Sequence, residues 1–418
     1  MEKVFASIIT IGDELLIGQV VDTNSAWMAQ ELNKIGINIK HRVAVGDVWD
    51  DIWQALDEES KHASIILITG GLGPTADDIT KPLLCEYFGG KMVVDQPTLV
   101  HVTAIFERVF KRPITDRNIK QAEVPDVCTV LKNDKGTAPG MLFKKNGKIF
   151  ISLPGVPHEM KWIMTNQAIP RITELFQTGF IEHRTLLTAG IGESSLADMV
   201  QTLEESLPTH IKLAYLPNYG MVRLRLTSFG ADKATMEKEI DSYFERFKEI
   251  VKEYLVIDED LPLELVVGRL LKERDQTLAT AESCTGGNIA RMITSHAGAS
   301  AYYKGSVVSY DNTIKQKILH VTDETLATVG AVSEATVQQM ARSVLDLMQT
   351  DYAIAVSGIM GPEGGTNEKP VGMVWVAVAN RDRVQTKLFN FRFDRARNIE
   401  LTSTNALNLL RIFIIESR

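Results

Sequence analysis

The chain is 418 residues long, 44% hydrophobic and 23% charged, which is typical of a globular protein large enough for two or three domains. It contains no run of about 18 uncharged apolar residues, so we expect no membrane partner. Its three cysteines are far apart and favour neither a disulfide framework nor a metal cluster, and a formal charge of -8 argues against a general nucleic-acid binder. We expect a cytoplasmic protein.

The first 170 residues alternate short apolar runs with helical patterns. The stretches KVFASIITIG, NIKHRVAVGD and SIILITGG are typical of strands, and residues 23–35 and WDDIWQALDEESKHA are typical of helices. A strand, a proline-glycine loop and a helix, IFISLPGVPHEMKWIM, end this part. The alternation predicts a three-layer α/β domain built on a parallel sheet.

Residues 171–257 follow a different pattern. A helical stretch, LADMVQTLEES, precedes the hairpin-like pair HIKLAYLP and MVRLRLTS, and a charged helix, KATMEKEIDSYFERFKEIVKEYL, comes next. We predict a small α+β module here, followed by the linker VIDEDLP.

A second α/β pattern occupies residues 258–418. QTLATAE, SVVSY and DYAIAV are predicted strands, and NIARMITSHA is a predicted helix. The predicted fold is therefore α/β, with two three-layer α/β domains at residues 1–170 and 258–418 that are joined by the α+β module at residues 171–257.

Acidic residues follow several predicted strands of the first domain. Glu14, Asp47 and Asp78 each lie just past a strand end. In an open α/β sheet, ligands bind outside the carboxyl ends of the strands, and three carboxylates there would suit a hard divalent cation. The glycines after SIILIT would let backbone N–H groups approach an anion. Taken one at a time, each motif is better explained as a helix cap or a simple turn, but three of them at matched strand ends favour a ligand site.

Three long motifs, ITIGDELLIGQVVDTNS, LITGGLGPTADDIT and SLPGVPHEM, resemble the molybdopterin-binding domain of the CinA family (competence/damage-inducible protein A). The resemblance implies a molybdopterin-binding-like fold and, in two-domain members, an ADP-ribose pyrophosphatase that depends on a divalent cation (Mg, Mn or Co). In that reaction water attacks a diphosphate while the cation neutralises charge on the phosphoryl oxygens. The implied metal ligands are Glu14, Asp47 and Asp78, and the implied nucleotide contacts are Asn24, Gly70, Gly71, Gly73 and Thr80.

The same resemblance implies that the middle module is KH-like. KH domains grip nucleic acid with a GXXG loop, and the stretch GIGES lacks that spacing. Residues 171–257 also carry 13 acidic residues against 10 lysines and arginines. Nucleic acid is therefore not an expected partner, and we favour a spacer or dimerisation role.

In the last domain, TAESCTGG places three possible nucleophiles, Ser283, Cys284 and Thr285, in a strand-to-helix turn. Free N–H groups at such a turn can stabilise a phosphate or a developing oxyanion. No histidine is placed in the sequence to suggest a dyad with Cys284, which favours a packing role for this residue. A serine can instead be activated by a lysine of lowered pKa, and Lys315 follows Tyr310 by five residues across a second strand-to-helix turn.

Two further features accompany this turn. The loop SGIMGPEGG follows the predicted strand DYAIAV, and its glycines suggest close approach of the backbone to a ligand. Arg395, in FRFDRARN, could pair with a phosphate through two parallel hydrogen bonds. By itself, it would be an ordinary surface arginine.

Together AESCTGG, GSVVSYDNTIK, GAVSE and SGIMGPEGG with PVG resemble the C-terminal CinA domain, which is similar to the nicotinamide mononucleotide deamidases. These enzymes hydrolyse the carboxamide to the acid and release ammonia. The resemblance implies Ser283 as nucleophile, Lys315 and Tyr310 as its activating groups, and no cofactor. The implied substrate contacts are Thr285, Gly286, Gly287, Asn312, Ser357, Gly358 and Arg395.

The combined prediction is a hydrolase of pyridine-nucleotide salvage, expected to be a homodimer, with nicotinamide mononucleotide and ADP-ribose as its small-molecule substrates. Two alternatives stay open. One is a non-enzymatic nucleotide- or pterin-binding protein that acts in competence or recombination. The other is an amidase whose N-terminal domain is an inactive scaffold.

Overall fold

The computed structural model describes residues 3–75, 78–109, 111–176 and 178–417. Ala76 and Asp77, which belong to the GGLGPTADDIT motif, lie outside the described residues. The chain divides into two compact units, one formed by residues 1–182 and 228–238 and the other by residues 183–227 and 239–418. The limits of the three predicted domains stay a prediction.

The N-terminal region alternates strands and helices as the sequence predicts. Its elements are β1 (Phe5–Ile11), α1 (Asp13–Leu16), α2 (Thr23–Lys34), β2 (Asn38–Val45), α3 (Trp49–His62), β3 (Ile65–Thr69), α4 (Thr80–Tyr87), β4 (Met92–Val94), α5 (Gln96–Arg108), α6 (Asp116–Ile119), β5 (Glu123–Pro125), β6 (Thr129–Leu131), β7 (Gly140–Lys145), β8 (Lys148–Leu153), α7 (Pro157–Ile163) and α8 (Ile169–Leu175).

The main N-terminal sheet has six strands in the order β2-β1-β3-β8-β7-β6. Strands β2, β1, β3 and β8 are parallel, whereas β7 is antiparallel to both β8 and β6. The prediction of a parallel sheet is therefore wrong at this edge. The reason is the stretch KKNGK, in which Asn146 and Gly147 have φ values of 52° and 74°. They form a two-residue turn, and such a turn joins only antiparallel strands.

Apolar side chains cover both faces of this sheet. Ile8 of β1 packs with Met28 of α2 in one core. Its chain neighbour Ile9 packs with Leu56 of α3 in a second core. Because successive side chains of a strand point to opposite faces, the two cores lie on opposite sides of the sheet, which gives the three predicted layers.

The middle region contains β9 (Phe180–Ala189), α9 (Glu193–Glu205), β10 (Ile211–Asn218), β11 (Met221–Gly230), α10 (Lys233–Ile250) and β12 (Leu255–Ile257). Its sheet has the order β10-β11-β9-β12, in which the predicted hairpin strands are neighbours. The predicted linker VIDEDLP is wrong at its start, because β12 pairs with β9 and places Leu255 opposite Thr188. Val256 and Ile257 pack against the C-terminal core, so these apolar residues are structural.

The C-terminal region contains α11 (Leu263–Glu273), β13 (Leu278–Glu282), α12 (Asn288–Thr294), β14 (Tyr303–Val308), α13 (Asn312–Lys317), α14 (Asp323–Thr328), α15 (Glu334–Met348), β15 (Tyr352–Gly358), β16 (Met373–Ala379), β17 (Val384–Asn390) and α16 (Arg395–Glu416). The sheet order is β14-β13-β15-β16-β17. Strands β14, β13 and β15 are parallel, so their carboxyl ends meet at one edge, and β16 and β17 continue the sheet in antiparallel fashion.

Helices cover both faces of the C-terminal sheet as well. Ala279 and Ala281 of β13 pack with Met340 of α15 on one face. Leu278 of the same strand packs with Phe413 of α16 on the other face. None of the helices in the described stretches combines the length and the apolar character that crossing a bilayer would require.

Candidate functional site

A cavity of about 200 Å³ lies at the carboxyl edge of the C-terminal sheet. The loops after β13, β14 and β15 form its walls because these three strands are parallel and end side by side. Its lining consists of Ser283, Cys284, Tyr310, Asn312, Lys315, Ala331, Val332, Ser357, Gly358, Met360 and Arg395. The structure thus brings together all the predicted residues of this site except Thr285, Gly286 and Gly287.

Ser283 is the first residue after β13. Its backbone N–H donates to the carbonyl of Val356 on β15 at 3.1 Å, which extends the strand pairing by one residue. The side chain is only 8% exposed, and it lines the cavity. The end of a central strand therefore fixes the position of the serine hydroxyl.

Lys315 is one of the largest fully buried side chains of the chain, at 2% exposure. The short helix α13 begins after Asp311, whose carboxylate accepts the N–H of Thr313 at 2.7 Å, and carries Lys315 back over the end of β14. The Lys315 Nζ donates to the carbonyls of Ser309 at 2.7 Å and Tyr310 at 3.4 Å. Burial lowers the pKa of Lys315, because the charged ammonium loses its hydration. A lysine in this state can act as a base.

Cys284 also lines the cavity, but burial shifts the pKa of its thiol in the opposite direction from the pKa of Lys315. It is 6% exposed and belongs to the apolar core on the α16 side of the sheet. Burial raises the pKa of its thiol to about 12, and the nearby Lys315 and Arg395 only partly offset this effect. Because the thiolate is the reactive form of cysteine, this environment favours packing over nucleophilic attack.

Tyr310 and Arg395 lie at the mouth of the cavity. Tyr310 is 64% exposed, and its hydroxyl accepts a hydrogen bond from the Arg395 guanidinium at 2.9 Å. A second guanidinium nitrogen of Arg395 donates to the carbonyl of Gly361 at 2.8 Å. Since a guanidinium carries five N–H donors, these two bonds leave others that can face a ligand.

Ser357 and Gly358 shape the wall that β15 contributes. The Ser357 hydroxyl donates to the carbonyl of Ala331 at 2.7 Å, which ties two cavity loops together. A Cβ atom at Gly358 would come within 2.7 Å of the carbonyl oxygen of Met373, so a side chain does not fit there. Asn312 is the first residue of α13 and faces the same cavity.

Thr285, Gly286 and Gly287 have a different role from the one implied by the sequence. The carboxylate of Glu282, which is fully buried, accepts the Thr285 hydroxyl at 2.7 Å and the Gly287 N–H at 3.1 Å. Two more amides at the start of α12 donate to the same carboxylate, and the Gly286 N–H donates to the carbonyl of Ser283. The expectation that these groups bind an anion is therefore corrected, because an internal carboxylate already occupies the helix N-terminus.

The strand-end loops of the N-terminal domain meet around several of the predicted nucleotide contacts. The side-chain amide of Asn24 donates to the carbonyl of Gly155 at 2.7 Å. A Cβ atom at Gly155 would lie 3.5 Å from the Cα of Gly70, and one at Gly71 would lie 2.1 Å from the hydroxyl of Thr80. Gly71 has a φ of 63°, so glycine is favoured there on backbone grounds too. The Thr80 hydroxyl is buried and has no hydrogen-bond partner within the described part of the chain.

Asp78 folds back onto its own loop. One carboxylate oxygen accepts the N–H of Gly73 at 2.8 Å. The other accepts the N–H of Thr75 at 2.9 Å and also bonds the Thr75 hydroxyl. Asp78 therefore stabilises the turn of the GGLGPT stretch.

The other two predicted metal ligands are also placed by local contacts. Asp47 accepts the N–H of Asp13 at 3.2 Å, and Asp13 accepts the N–H of Asp47 at the same distance. Glu14 bends over Gly12, where an added Cβ would lie 2.6 Å from a carboxylate oxygen. Over the described residues, no three acidic, histidine or cysteine side chains are placed to hold one metal ion. The described residues thus show no gathering of Glu14, Asp47 and Asp78, and the divalent cation stays a prediction.

Two buried ionisable residues lie next to the predicted sites, and the sequence pattern pointed to neither. Glu282 precedes the SCTGG turn, and an acidic residue just before a helix start is a readable signal. Lys81, directly after Thr80, is 6% exposed, and its Nζ donates to the carbonyl of Gln121 at 2.8 Å. Burial lowers the pKa of Lys81 to about 8. No sequence pattern distinguishes this lysine from a surface one.

Sequence models of known families match three successive parts of the chain. A probable molybdopterin binding domain matches residues 7–174, the KH domain of damage-inducible protein CinA matches residues 183–256, and the CinA C-terminal domain matches residues 260–414. A CinA-like protein from Flavobacterium psychrophilum is 45% identical over 406 residues, which cover 97% of this chain and 97% of the relative. This chain belongs to the CinA family.

A second full-length relative agrees with this assignment. A CinA-like protein from Cytophaga hutchinsonii is 45% identical over 408 residues, which cover 98% of this CinA family member and 97% of the relative. The crystal structure of competence damage-inducible protein A from Klebsiella pneumoniae is 42% identical, covers 36% of this chain and 93% of its own, and has a TM-score of 0.35. The predicted fold class, two α/β domains with a KH-like module between them in the sequence, is confirmed.

Proposed function

We propose that the C-terminal cavity of this CinA family member hydrolyses the carboxamide of nicotinamide mononucleotide to the carboxylic acid and ammonia. One observation carries the proposal: the hydroxyl-bearing Ser283 shares a cavity with the buried amine of Lys315, whose pKa is lowered. A serine needs such a base to become a nucleophile. The resemblance of the surrounding motifs to nicotinamide mononucleotide deamidases supports the choice of substrate.

The reaction has two stages in this proposal. Neutral Lys315 accepts the hydroxyl proton of Ser283 while the serine oxygen bonds the carboxamide carbon. The carbon–nitrogen bond then breaks, the ammonium of Lys315 returns the proton to the leaving nitrogen, and ammonia departs from an ester on Ser283. Water attacks that ester with Lys315 again as base, which releases the acid and restores the serine hydroxyl.

In this proposal, groups at the mouth of the cavity bind the substrate. Arg395 has N–H groups beyond those used by Tyr310 and Gly361, and a guanidinium matches the geometry of a phosphate. Asn312 offers a side-chain amide on the cavity wall, which replaces Thr285 and Gly287 as the neutral donor for the developing oxyanion.

A direct assay tests this proposal. Wild-type protein and nicotinamide mononucleotide are incubated with and without a chelator, and ammonia and nicotinic acid mononucleotide are both quantified. The expected result is equal molar amounts of the two products in both arms, because the proposed chemistry uses only side chains. Absence of the acid product from an otherwise folded protein would contradict the proposal.

For the N-terminal domain we infer a site that binds the phosphate groups of a nucleotide such as ADP-ribose. The close approach of Gly71 to Thr80 supports this inference, as does the Thr80 hydroxyl, which has no partner among the described residues. Since the described carboxylates form no shared cluster, we derive no metal-dependent step. ADP-ribose hydrolysis stays a prediction.

An assay of ADP-ribose cleavage distinguishes the pyrophosphatase from an inactive scaffold. The wild type and Thr80→Val are compared with Mg²⁺, with Mn²⁺ and with chelator. Cation-dependent cleavage by the wild type alone would establish the pyrophosphatase. If both proteins fail to cleave ADP-ribose but still deamidate nicotinamide mononucleotide, the N-terminal domain is a scaffold or a binding domain.

A further inference from the structure

Asn398 is a fully buried polar side chain in the first turn and a half of α16. Its amide nitrogen donates to the carbonyl of Met360 at 3.1 Å and to the carbonyl of Phe393 at 2.9 Å. Its amide oxygen accepts the N–H of Phe393 at 3.3 Å. Both donors and the acceptor of the side chain are therefore used, and all three bonds go to loop backbone.

These bonds join two walls of the deamidase cavity. Met360 lines the cavity on the glycine loop after β15. Phe393 precedes Arg395 by two residues, and the Arg395 guanidinium itself donates to Gly361 at 2.8 Å. Asn398 and Arg395 thus reach adjacent residues of the same loop from the same end of α16. The distance between the loop and the guanidinium is set by both contacts together.

Only an asparagine side chain meets these demands with this reach. An aspartate has no N–H to donate and would place a negative charge against the carbonyls of Met360 and Phe393. A leucine of similar size would leave both carbonyls and one N–H buried without partners. Neither change touches Ser283 or Lys315, which are held by β13 and α13.

We propose that Asn398 is a positioning residue of the deamidase site, which holds Arg395 where it can bind the phosphate of the mononucleotide. The inference rests on the proposed deamidase function. It gives the buried amide a part in substrate choice: the enzyme prefers the mononucleotide over the phosphate-free nicotinamide riboside because Asn398 keeps the guanidinium in place.

The test compares the two substrates. The ratio of kcat/KM for nicotinamide mononucleotide to kcat/KM for nicotinamide riboside is measured in the wild type and in four variants, which are Asn398→Asp, Asn398→Ser, Arg395→Ala and the double variant Arg395→Ala with Asn398→Asp. We expect the Asn398 variants to lower this ratio about tenfold through a higher KM for the mononucleotide, since a bond to a charged group is lost. In the Arg395→Ala background, Asn398→Asp should change the ratio little further, because the two residues act through one contact.

A matched control lies on the same helix. The Asn405 side chain donates at 2.8 Å to the carbonyl of Leu401 in the same helix, and Asn405→Asp should leave the substrate ratio unchanged. If Asn398 had a purely structural role, its variants would lower kcat/KM equally for both substrates and leave the ratio at the wild-type value. That result would overturn the proposal. A further lowering of the ratio in the double variant would overturn it too.

Backbone hydrogen exchange keeps the inference testable apart from the deamidase function. We expect the Asn398 variants to speed exchange in residues 358–364 and 391–395 and to leave the end of β13 unchanged, whereas Asn405→Asp should do neither. If the wild type releases no ammonia, the proposed function fails. Hydrogen exchange then tests by itself whether Asn398 holds the two loops in place. Unchanged exchange in both loops of a folded Asn398→Ser protein would show that Asn398 holds neither.

Discussion

The two candidate sites occupy the same position in their domains and differ in what their polar side chains contact. Both lie at the carboxyl ends of parallel strands in an α/β sheet. At the C-terminal site, Ser283 and Lys315 line one cavity. At the N-terminal site, Asp47 and Asp78 accept backbone amides of neighbouring residues. Strand ends bring polar residues to one edge, but local hydrogen bonds decide which of them face a ligand.

Removing the amine from the C-terminal site should have the largest effect. Lys315→Met keeps the buried stem and deletes the base, so we expect kcat for ammonia release to fall by about 10²–10⁴-fold. In the wild type, kcat/KM should rise with pH as the ammonium loses its proton, and this rise should be centred below the ordinary lysine pKa of 10.5 because burial lowers the pKa of Lys315. A pH profile centred at or above 10.5 would contradict the assignment of Lys315 as base.

The buried carboxylate of Glu282, beside Ser283, offers the next test. Glu282→Gln removes the charge that accepts the Thr285 hydroxyl and three amides, so we expect a loss of about 3–4 kcal/mol in the free energy of unfolding. The matched control is Glu400→Gln, whose partially exposed ion pair with Arg291 should cost less than about 1 kcal/mol. Denaturant unfolding measures both. Equal losses would mean that Glu282 is not the anchor of this turn.

Lys81 of the N-terminal domain is buried like Lys315 of the C-terminal site. The two lysines can be compared because burial alone does not make a lysine a catalytic base. The pKa of Lys81 is about 8 in the folded state against an ordinary value of 10.5, so between these values the unfolded chain binds more protons. Stability of the wild type relative to Lys81→Met should therefore rise with pH across this window, by about 3 kcal/mol in total. Differences in unfolding free energy at pH 7.5 and pH 10.5 test this. A constant difference would contradict the lowered pKa.

The smallest expected effect concerns the carboxylate of the GGLGPT turn. Asp78→Asn should lose about 1 kcal/mol of stability, because Asp78 bonds the N–H groups of Gly73 and Thr75. Mg²⁺ should then shift the Tm of the wild type and of the variant equally. A Mg²⁺-dependent stabilisation that disappears in Asp78→Asn would show that Asp78 is a metal ligand after all and would remove the contrast between the two sites.

Much of this architecture can be predicted from the sequence, because hydrophobic periodicity and strand-end motifs are local signals. The alternation around KVFASIITIG and QTLATAE gives both α/β domains, and SCTGG and GSVVSYDNTIK give the cavity that holds Ser283 and Lys315. The antiparallel edge formed by β7 follows from the local Asn146-Gly147 turn, a signal that the strand prediction did not use, whereas β12 and β9 are partners that lie far apart in the sequence. A short apolar stretch does not show which distant strand it will pair with.

The direction of individual side chains was the least predictable feature. Asp78 could equally cap its own turn or face a cation, and the sequence supports both. The amides after Ser283 could likewise bind a ligand or the nearby Glu282. Such choices depend on tertiary geometry of a few ångströms, which residue spacing does not encode.

The central claim is that Ser283, and not Cys284, is the nucleophile of the C-terminal cavity. The most direct measurement is ammonia release from nicotinamide mononucleotide by the wild type, Ser283→Ala and Cys284→Ala, with folding checked for each. We predict release by the wild type and Cys284→Ala and none above background by Ser283→Ala. Release that survives in Ser283→Ala and is lost in Cys284→Ala would contradict the account.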